Sequence, residues 1–595
     1  MGNHGGGPTR ENIDHILKMD QIDAFPRVQM SSVQTMINRV NSAYPNLPVW
    51  NDELYLECHR GTLTTQAQTK RNNRKCKIAI ESAEKIAVVA GIDYPVDELR
   101  EAWRLTLFNQ FHDILPGSSI CEVYEDADMQ YRNVHKLTHR IRTRGLDALL
   151  NEIDHASAGI PVLVFNPLNW SRNDSVRVRV PSVFRKGMGL FDAQDREIRY
   201  TISEGDILFS GIDIPAIGYR TLYLKQRQTG ADINADFRIT LASLENRYLK
   251  IEVNPKNGNI AAIYDKRHNR DVLQTGQEGN LLQAFEDRPT DWDAWNIGYT
   301  GKEWKIEQVK EIFVLEDSAE RIALRVIRPF NQSRFIQDLV LYPDIPRLDI
   351  EDIIDWHEEH VLVKAAFPVN VRSEVAAYEI PFGHINRRTV AADSYDAAKF
   401  EVSGHKWIDL SESDHSFGVS LLNDCKYGFD VKANLMRMTL LRSPKWPADN
   451  ADMGRHRVIY SVFPHTGDWR SGGTCRQACE LNTPFLTRVG CLNSSAGHRP
   501  DTDSFLSCDK SNIIMSAVKK AEEGSGMIVR LYETDGIQTS VQLKVHGPID
   551  SAFETNLLEN IIGDIVIRGS YLLFEIGPYE IKTLVVKVKS ENIKV

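Results

Sequence analysis

The most constraining feature of this sequence is a change of hydrophobic period near Gly159. From about Pro48 up to that point, apolar residues recur at helical spacing in long runs. Beyond it, short β-branched runs separated by Gly, Pro and Asn turns continue to Val588. Long helices are typical of a small bundle, and short strands with such turns are typical of antiparallel β-sandwiches. The sequence therefore predicts a three-helix bundle followed by a large β region.

Two local patterns sharpen this prediction. The run that Asp97 opens is apolar nearly all round and stops at Pro116-Gly117, so a fully buried helix is expected there. In the β region, Asn257-Gly258 lies between two strand-like runs at 249–253 and 260–264, which is a strong β-hairpin pattern.

The first 48 residues form a different pattern. A Gly-rich turn leads into an amphipathic helix, a brief extended piece around Val28 and Met30, and a second helix capped by Ser31 or Ser32. A single parallel strand needs neighbours and covering helices. We therefore expect a stub of an α/β domain, in which the chain starts inside a domain.

These patterns divide the chain into a multidomain α+β arrangement. The expected divisions are an α/β remnant over 1–48, a three-helix bundle over 49–158, a small β domain over 159–240, a large β-sandwich over 241–480 and a C-terminal β domain over 481–595.

Charge and cysteine content limit the partners and the compartment. The 81 acidic and 71 basic residues give a net charge of −10, so no global attraction to nucleic acid or to an anionic membrane is expected. Eight cysteines without a CxxC pair fit a reducing compartment. The N-terminus has no signal segment, and no apolar run approaches the length of a membrane span. The prediction is a cytoplasmic protein with a neutral substrate.

Polar residues within apolar or aromatic stretches are the candidates for chemistry. Gly2–Thr9, with Asn3 and His4, precedes a helix and could approach a ligand closely or be a flexible start. In Glu53–Gln66, an extended segment would place Glu53, Tyr55, Glu57 and His59 on one face, suited to a metal or a sugar. A structural or simply exposed histidine is the alternative reading of His59.

Three further stretches leave alternatives open. Asn109–Gly117 carries four polar groups on an apolar helix, which favours a network that locks the bundle to its neighbour. Asp287–Asn296 combines Trp with Asp and Asn, which suits either a carbohydrate site or a loop that fills an interface. A buried Arg442 needs an anion or several hydrogen-bond acceptors, and an internal ion pair would serve as well as a substrate.

At these residues the sequence resembles a known family, the glycoside hydrolase family 38 α-mannosidases, and in particular their cytosolic and bacterial branch. The resemblance follows the family's order along nearly the whole chain. It is carried by the motifs GNHGGGPTR (2–10), ELYLECHRGTLTTQ (53–66), NQFHDILPGSSICEVYED (109–126), VFNPLNW (164–170), WDAWN (292–296), YEIPFGH (378–384), LLNDCKYGFD (421–430) and LLRSP (440–444).

The resemblance implies an α/β catalytic domain, a three-helix bundle and β-sandwich domains, the large one being galactose-mutarotase-like. It implies retaining hydrolysis of terminal α-mannosidic bonds by a carboxylate nucleophile and an acid/base carboxylate, assisted by one divalent metal, expected to be zinc. The family's zinc is held by a His-x-Asp pair, the nucleophilic Asp and a later histidine.

Carried over residue by residue, the later zinc-binding histidine corresponds to His59, with His4 as the weaker candidate. The His-x-Asp pair and the nucleophile would precede residue 1, so the resemblance identifies no catalytic residue in this chain. Asn3, where many relatives have Asp, and Asp293 and Arg442 correspond to substrate-side positions.

Two functions follow from this resemblance. The first is the C-terminal portion of an α-mannosidase acting on a mannose-containing oligosaccharide or glycoside, together with a separate N-terminal catalytic chain or as a homo-oligomer. The second is an inactive remnant or split-gene product that serves at most as a carbohydrate-binding or structural subunit. One histidine cannot hold zinc tightly, because protein zinc sites use three or four ligands.

Overall fold

The structure is a computed structural model that describes residues 7–154, 159–227, 237–491 and 497–589. These residues form two compact units, 7–55 and 56–589.

The N-terminal unit consists of two short helices. Helix α1 (Arg10–Met19) starts with a capping box, in which Thr9 and Asn12 each bond the other's backbone N–H, and α2 (Val33–Ala43) is capped by Ser32. Both expected helices are confirmed. The expected strand around Val28 and Met30 is wrong, because no other strand is present among residues 7–55 to pair with this extended segment.

The second unit begins with two 3₁₀ turns, Glu57–His59 and Gly61–Leu63, followed by the predicted bundle. Its helices within the described residues are α3 (Ala67–Val89), α4 (Val96–Phe108) and α5 (Cys121–Glu152). They share an apolar core that includes Ile80, Ala102 and Val134. The three-helix bundle is confirmed.

Helix α4 is shorter and more exposed than predicted. It buries one face through Leu99, Ala102 and Thr106. Leu107 and Phe108 at its end are 56% and 62% exposed, so the expectation of a helix buried all round is wrong. A bundle of this size covers one stripe of each helix, and hydrophobic composition alone does not specify how many stripes are covered.

The remaining residues form antiparallel sheets, interrupted by the short helices α6 (Ser394–Ala398) and α7 (Thr474–Asn482). The first sheet joins strands on both sides of residue 480, so the predicted division there cuts through a sheet. Its strands are Ile160–Asn166, Met188–Phe191, Glu197–Ile198, Gly218–Gln226, Leu486–Val489 and Thr502–Ser504.

Two small sheets flank the next region. The predicted hairpin at Asn257-Gly258 is confirmed, with Gly258 at φ 72°, a conformation that favours glycine. The strands of these sheets are Val176–Arg179, Thr201–Ser203 and Asp206–Phe209 in one, and Arg238–Thr240, Ser243–Glu245, Leu249–Val253, Ile260–Asp265 and Arg270–Asp271 in the other.

Two large sheets pack on each other as the predicted sandwich. Phe367 of one lies against Tyr460 of the other, with ring centroids 6.4 Å apart. The first sheet contains Leu281–Asp287, Tyr299–Lys305, Val361–Pro368, Val402–Ser403, Gly428–Lys432 and Leu435–Arg442. The second contains Glu311–Asp317, Ile322–Phe330, Ser333–Leu341, Leu348–Trp356, Val375–Ile380, Gly383–Arg388, Trp407–Ser411, Gly418–Asn423 and Gly454–His465.

Two further sheets form the C-terminal β region, whose core is continuous with the ends of α3 and α5. The Lys85 ammonium group, buried in α3, donates to the carbonyls of Pro167 and Met515 and so ties the bundle to this region. The strands are Leu506–Cys508, Thr539–Val545, Val566–Arg568 and Tyr571–Ile576 in one sheet, and Ile513–Lys520, Met527–Glu533, Ile549–Thr555, Ile561–Asp564 and Ile581–Val588 in the other.

Candidate functional site

The candidate site lies where the start of the bundle meets the large sandwich. The loop of residues 288–298, here called the tryptophan loop, joins strands Leu281–Asp287 and Tyr299–Lys305. The Gly61 N–H donates to the Trp295 carbonyl at 2.7 Å, and the Thr65 hydroxyl donates to the Ala294 carbonyl at 2.9 Å. The turn that follows His59 is therefore bonded directly to the tryptophan loop.

Gly61 is required for this approach. A Cβ atom on Gly61 would lie 2.1 Å from a terminal nitrogen of Arg442 and 2.9 Å from the Asn296 carbonyl oxygen. Since real side chains do not reach such distances, only glycine lets the backbone pass between the loop and the arginine.

Arg442 lies beneath the loop with no exposed surface. Its Nε donates to Asp287 Oδ2 at 2.8 Å, and its Nη2 donates to the Asp293 carbonyl at 2.8 Å. Its Nη1 reaches the Ala294 carbonyl and the Thr65 hydroxyl, each at 3.1 Å. The internal ion pair is thus present, and Arg442 holds the tryptophan loop; its contact with a substrate stays a prediction.

Asp293 is anchored inside the same loop. Its Oδ2 accepts from the Lys445 backbone N–H at 2.6 Å, and its Oδ1 lies 3.7 Å from Nδ1 of His360. Asp293 Oδ1 and His360 Nδ1 are both buried, and neither has a hydrogen bond among the described residues. Asp293 therefore ties the tryptophan loop to the segment that follows Arg442, while its role in binding a substrate stays a prediction.

The outer face of the site is aromatic. Trp292, Trp295 and Trp446, here called the tryptophan surface, have ring centroids 5.4 to 5.7 Å apart. Trp292 is 54% exposed and Trp446 is 51% exposed. Exposed, mutually braced indole rings with a few nearby polar groups suit the C–H face of a sugar.

The arrangement predicted for His59 is not formed. Glu57–His59 is a 3₁₀ turn in which the His59 N–H donates to the Leu56 carbonyl. The prediction of an extended segment, with alternate side chains on one face, is therefore wrong. Arg60 holds this turn by packing over the Phe400 ring at 4.2 Å and donating to the Ala398 carbonyl.

The described residues on their own do not fit a zinc ion. Nowhere in 7–154, 159–227, 237–491 or 497–589 do three or more His, Cys, Asp or Glu side chains cluster closely enough to hold a metal. His59 can therefore supply one ligand at most, and its assignment to a metal stays a prediction. His4 and Asn3 lie outside the described residues.

A carboxylate from the sandwich caps the first helix of the bundle. Asp452 accepts from the backbone N–H groups of Gln66 and Ala67 at 2.8 and 2.7 Å, at the positive end of the α3 dipole. Beside it, burial lowers the pKa of Lys70 to about 7, and its ammonium group donates to the carbonyls of Thr65 and Leu115. These bonds fix the turn that contacts the tryptophan loop.

The polar cluster around Asn109 has a different partner from the one predicted. Asn109 donates to Gln130, and Gln110 donates to Asn73, so both bonds stay inside the bundle. The network is structural, as expected, but it joins helices of the bundle and does not reach the neighbouring domain through these bonds.

Two residues of the site were not identified from the sequence. Trp446 stands two positions after the LLRSP motif, and the available signal in the sequence was a tryptophan between two prolines, Pro444 and Pro447. His360 lies in a turn at φ 54° whose N–H bonds the Ser443 carbonyl, and no local pattern marks it.

Comparison with known proteins agrees with this architecture. The family "Glycosyl hydrolases family 38 C-terminal domain" matches residues 244–450, "Alpha mannosidase middle domain" matches 57–149, and "Glycosyl hydrolases family 38 C-terminal beta sandwich domain" matches 512–584. The chain belongs to glycoside hydrolase family 38.

Curated relatives extend the similarity to nearly the whole chain. Alpha-mannosidase 2C1 of Homo sapiens is 30% identical over 98% of this chain and 55% of its own length. Alpha-mannosidase G of Dictyostelium discoideum is 31% identical over 98% of this chain and 57% of its own length. The chain therefore spans about half the length of these relatives.

A solved structure shares the fold. An alpha-mannosidase from Enterococcus faecalis V583 superposes with a TM-score of 0.81, at 16% identity, over 97% of this chain and 74% of that one. The same order of bundle and sandwiches is thus present in an experimental structure.

No helix among the described residues is long and apolar enough to cross a bilayer.

Proposed function

We propose that this chain is the bundle-and-sandwich portion of an α-mannosidase that hydrolyses terminal α-mannosidic bonds with retention. The observation that carries the proposal is the exposed tryptophan surface, held in place by Arg442 and Asp293 beside the turn that contains His59. The names of the relatives support a mannose-containing substrate.

In this proposal the chain's residues bind and orient the sugar. The rings of Trp292 and Trp446 pack against its C–H face, and Arg442 keeps the loop rigid so that little conformational entropy is lost on binding. The nucleophile and the other metal ligands would come from a separate N-terminal catalytic segment. In a retaining enzyme the two catalytic carboxyl groups stand about 5–5.5 Å apart. A zinc ion would stabilise charge at the sugar, but the described residues support no step through it.

The compartment is part of the same proposal. All eight cysteines are free thiols in the structure, which supports a reducing, cytoplasmic location.

The test has two arms. The first measures release of nitrophenol from an aryl α-mannoside by the purified chain, with and without added zinc. We expect no turnover and no stoichiometric zinc binding, because the described residues hold no group of three ligands. Turnover that a chelator abolishes would contradict the need for a separate catalytic segment.

The second arm measures sugar contact by saturation-transfer NMR with methyl α-mannoside. The Trp446→Ala variant should lose about tenfold in affinity, the effect of losing one exposed aromatic contact. Trp304→Ala is the matched control, since Trp304 is half-buried on strand Tyr299–Lys305 and contacts Phe330 instead.

The outcomes separate the two functions. Equal loss in both variants, or no signal in the wild type, would remove the tryptophan surface from the proposal. The coding sequence upstream of Met1 decides between an enzyme portion and an inactive subunit, because a frame encoding a His-x-Asp-x-x-Trp segment would favour the enzyme.

A further inference from the structure

The C-terminal β region carries an exposed apolar edge, residues 557–568, here called the C-terminal edge. Its aliphatic side chains point into solvent from both faces of the chain, with Leu558 at 82%, Ile562 at 62% and Val566 at 58% exposure. Contiguous exposed apolar surface of this kind marks an interaction site. The other exposed members are Leu557, Ile561 and Ile567.

Two consecutive strands of this edge lack a neighbour on one side. Ile561–Asp564 pairs with Ile549–Thr555 and ends its sheet, and Val566–Arg568 pairs with Tyr571–Ile576 and ends the other. No strand of the described residues lies on their outer side. Unpaired backbone groups on a mostly apolar edge are what proteins normally protect, so this edge is a template on which a partner strand can pair.

The charges at the edge are also unpartnered. Asp564 and Arg568 stand four residues apart on either side of Val566, and neither forms an ion pair or side-chain hydrogen bond with any described residue. Other charges on the strands of this region do have partners, as Lys582 has in Glu554 at 2.7 Å.

We propose that the C-terminal edge pairs with the same edge of a second copy of this chain, antiparallel about Val566. In that register Val566 faces its own counterpart, and Asp564 faces the partner's Arg568. The two-fold axis repeats this opposite-charge pair at the other end. The edge is therefore complementary to itself.

The backbone fits the same register. Only Gly569 and Ser570 lie between the paired residues Arg568 and Tyr571, so this pair is the hydrogen-bonded one that closes the hairpin. The N–H and C=O of the intervening Ile567 then point outward, toward the partner's Ile565. Ile561, Ile562 and the two leucines extend the contact as an apolar surface.

The test is analytical ultracentrifugation of the full chain, in which we expect a reversible dimer. Asp564→Arg and Arg568→Asp should each raise the dissociation constant about tenfold, since each places like charges opposite one another twice. The double charge swap should restore it to within about threefold of the wild type. Failure of the swap to restore the dimer would overturn the register.

An apolar contact is tested with a matched pair. Ile562→Lys should abolish the dimer, whereas Ile202→Lys should not, although Ile202 is 52% exposed on Thr201–Ser203, a strand at the end of another sheet. Each variant should retain the wild-type circular dichroism spectrum.

A disulfide trap gives an independent measurement. Val566→Cys, in a background with the exposed Cys58 and Cys491 changed to Ser, should cross-link two chains on mild oxidation. A monomer whose introduced thiol reacts with a maleimide would mean a partner other than a second copy. A monomer whose introduced thiol does not react would mean that this chain covers its own edge. Either result overturns the proposal.

Discussion

Two arginines of the large sandwich, Arg442 and Arg328, are equally buried and very differently bonded. Neither has exposed surface. Arg442 uses all three guanidinium nitrogens, and Asp287 provides its counter-charge at 2.8 Å. Arg328 donates only from Nη1, to Gln337, while its Nε and Nη2 have no hydrogen-bond partner among the described residues. Burial lowers the pKa of Arg328 to about 10.

The difference lies in where the carboxylates stand. Asp287 accepts a hydrogen bond from Arg442 itself. Near Arg328, by contrast, one oxygen of Asp352 accepts from the Gln337 amide, and the other has no hydrogen bond among the described residues. A buried charge stabilises a fold only when its partners are in place, since desolvation otherwise outweighs the attraction. Arg442 therefore fixes a loop at the candidate site, and Arg328 is a stability cost inside the sandwich.

The largest expected effect is at the first arginine. Arg442→Met should lower the free energy of unfolding by about 3–5 kcal/mol, because it leaves the Asp287 carboxylate buried and uncompensated. Urea denaturation followed by tryptophan fluorescence measures it. Arg442→Lys is the control. It keeps the positive charge but loses the several guanidinium donors, so its free energy of unfolding should lie between those of the wild type and Arg442→Met. A loss below about 1 kcal/mol would break the comparison.

A smaller effect is expected at Asp352, and it depends on pH. Burial raises the pKa of Asp352 to about 7, so the folded state keeps a proton that the unfolded state releases near pH 4. The free energy of unfolding should therefore fall between pH 4 and pH 7, and Asp352→Asn should remove that fall, on the order of 3 kcal/mol.

Asp424 is the control of opposite sign. Burial raises its pKa, but Lys75 at 2.9 Å and the Ile459 N–H outweigh burial and lower the pKa to about 2. Its stabilisation is present above about pH 4 and disappears as the pH falls toward 2. Asp424→Asn should therefore destabilise at neutral pH. The same slope in Asp352→Asn as in the wild type would contradict an uncharged Asp352.

The smallest expected effect is at the second arginine. Arg328→Met should change the free energy of unfolding by about 1 kcal/mol or less, since an apolar side chain of similar length removes unsatisfied donors along with the charge. The same urea titration measures it beside Arg442→Met. A loss of about 3 kcal/mol or more would show that Arg328 has partners equivalent to those of Arg442.

The local parts of the fold could be predicted from the sequence. The Asn257-Gly258 hairpin, both N-terminal helices and the three-helix bundle follow from turn chemistry and apolar period, which act within a few residues. The prediction of a strand around Val28 failed because a strand forms only when its backbone pairs with a neighbouring strand. The exposure of Phe108 was missed because local composition does not specify which faces are covered.

The candidate site divides in the same way. WDAWN and LLRSP stood out by composition, and the need of Arg442 for an anion was foreseen. The sequence could not tell whether that anion was Asp287 or a substrate, since 155 positions separate Asp287 from Arg442 in the chain. Trp446 and His360 join the site only through contacts of this kind.

By itself the sequence determined the periods, the turns, the resemblance to the mannosidase family and the residue types available for a sugar site. Only the tertiary structure decided which buried charges meet, which tryptophans form one surface and which strands are left at an edge. The reason is physical: helix and turn preferences are local free energies, whereas ion pairs, ring contacts and sheet edges depend on distances between residues far apart in the chain.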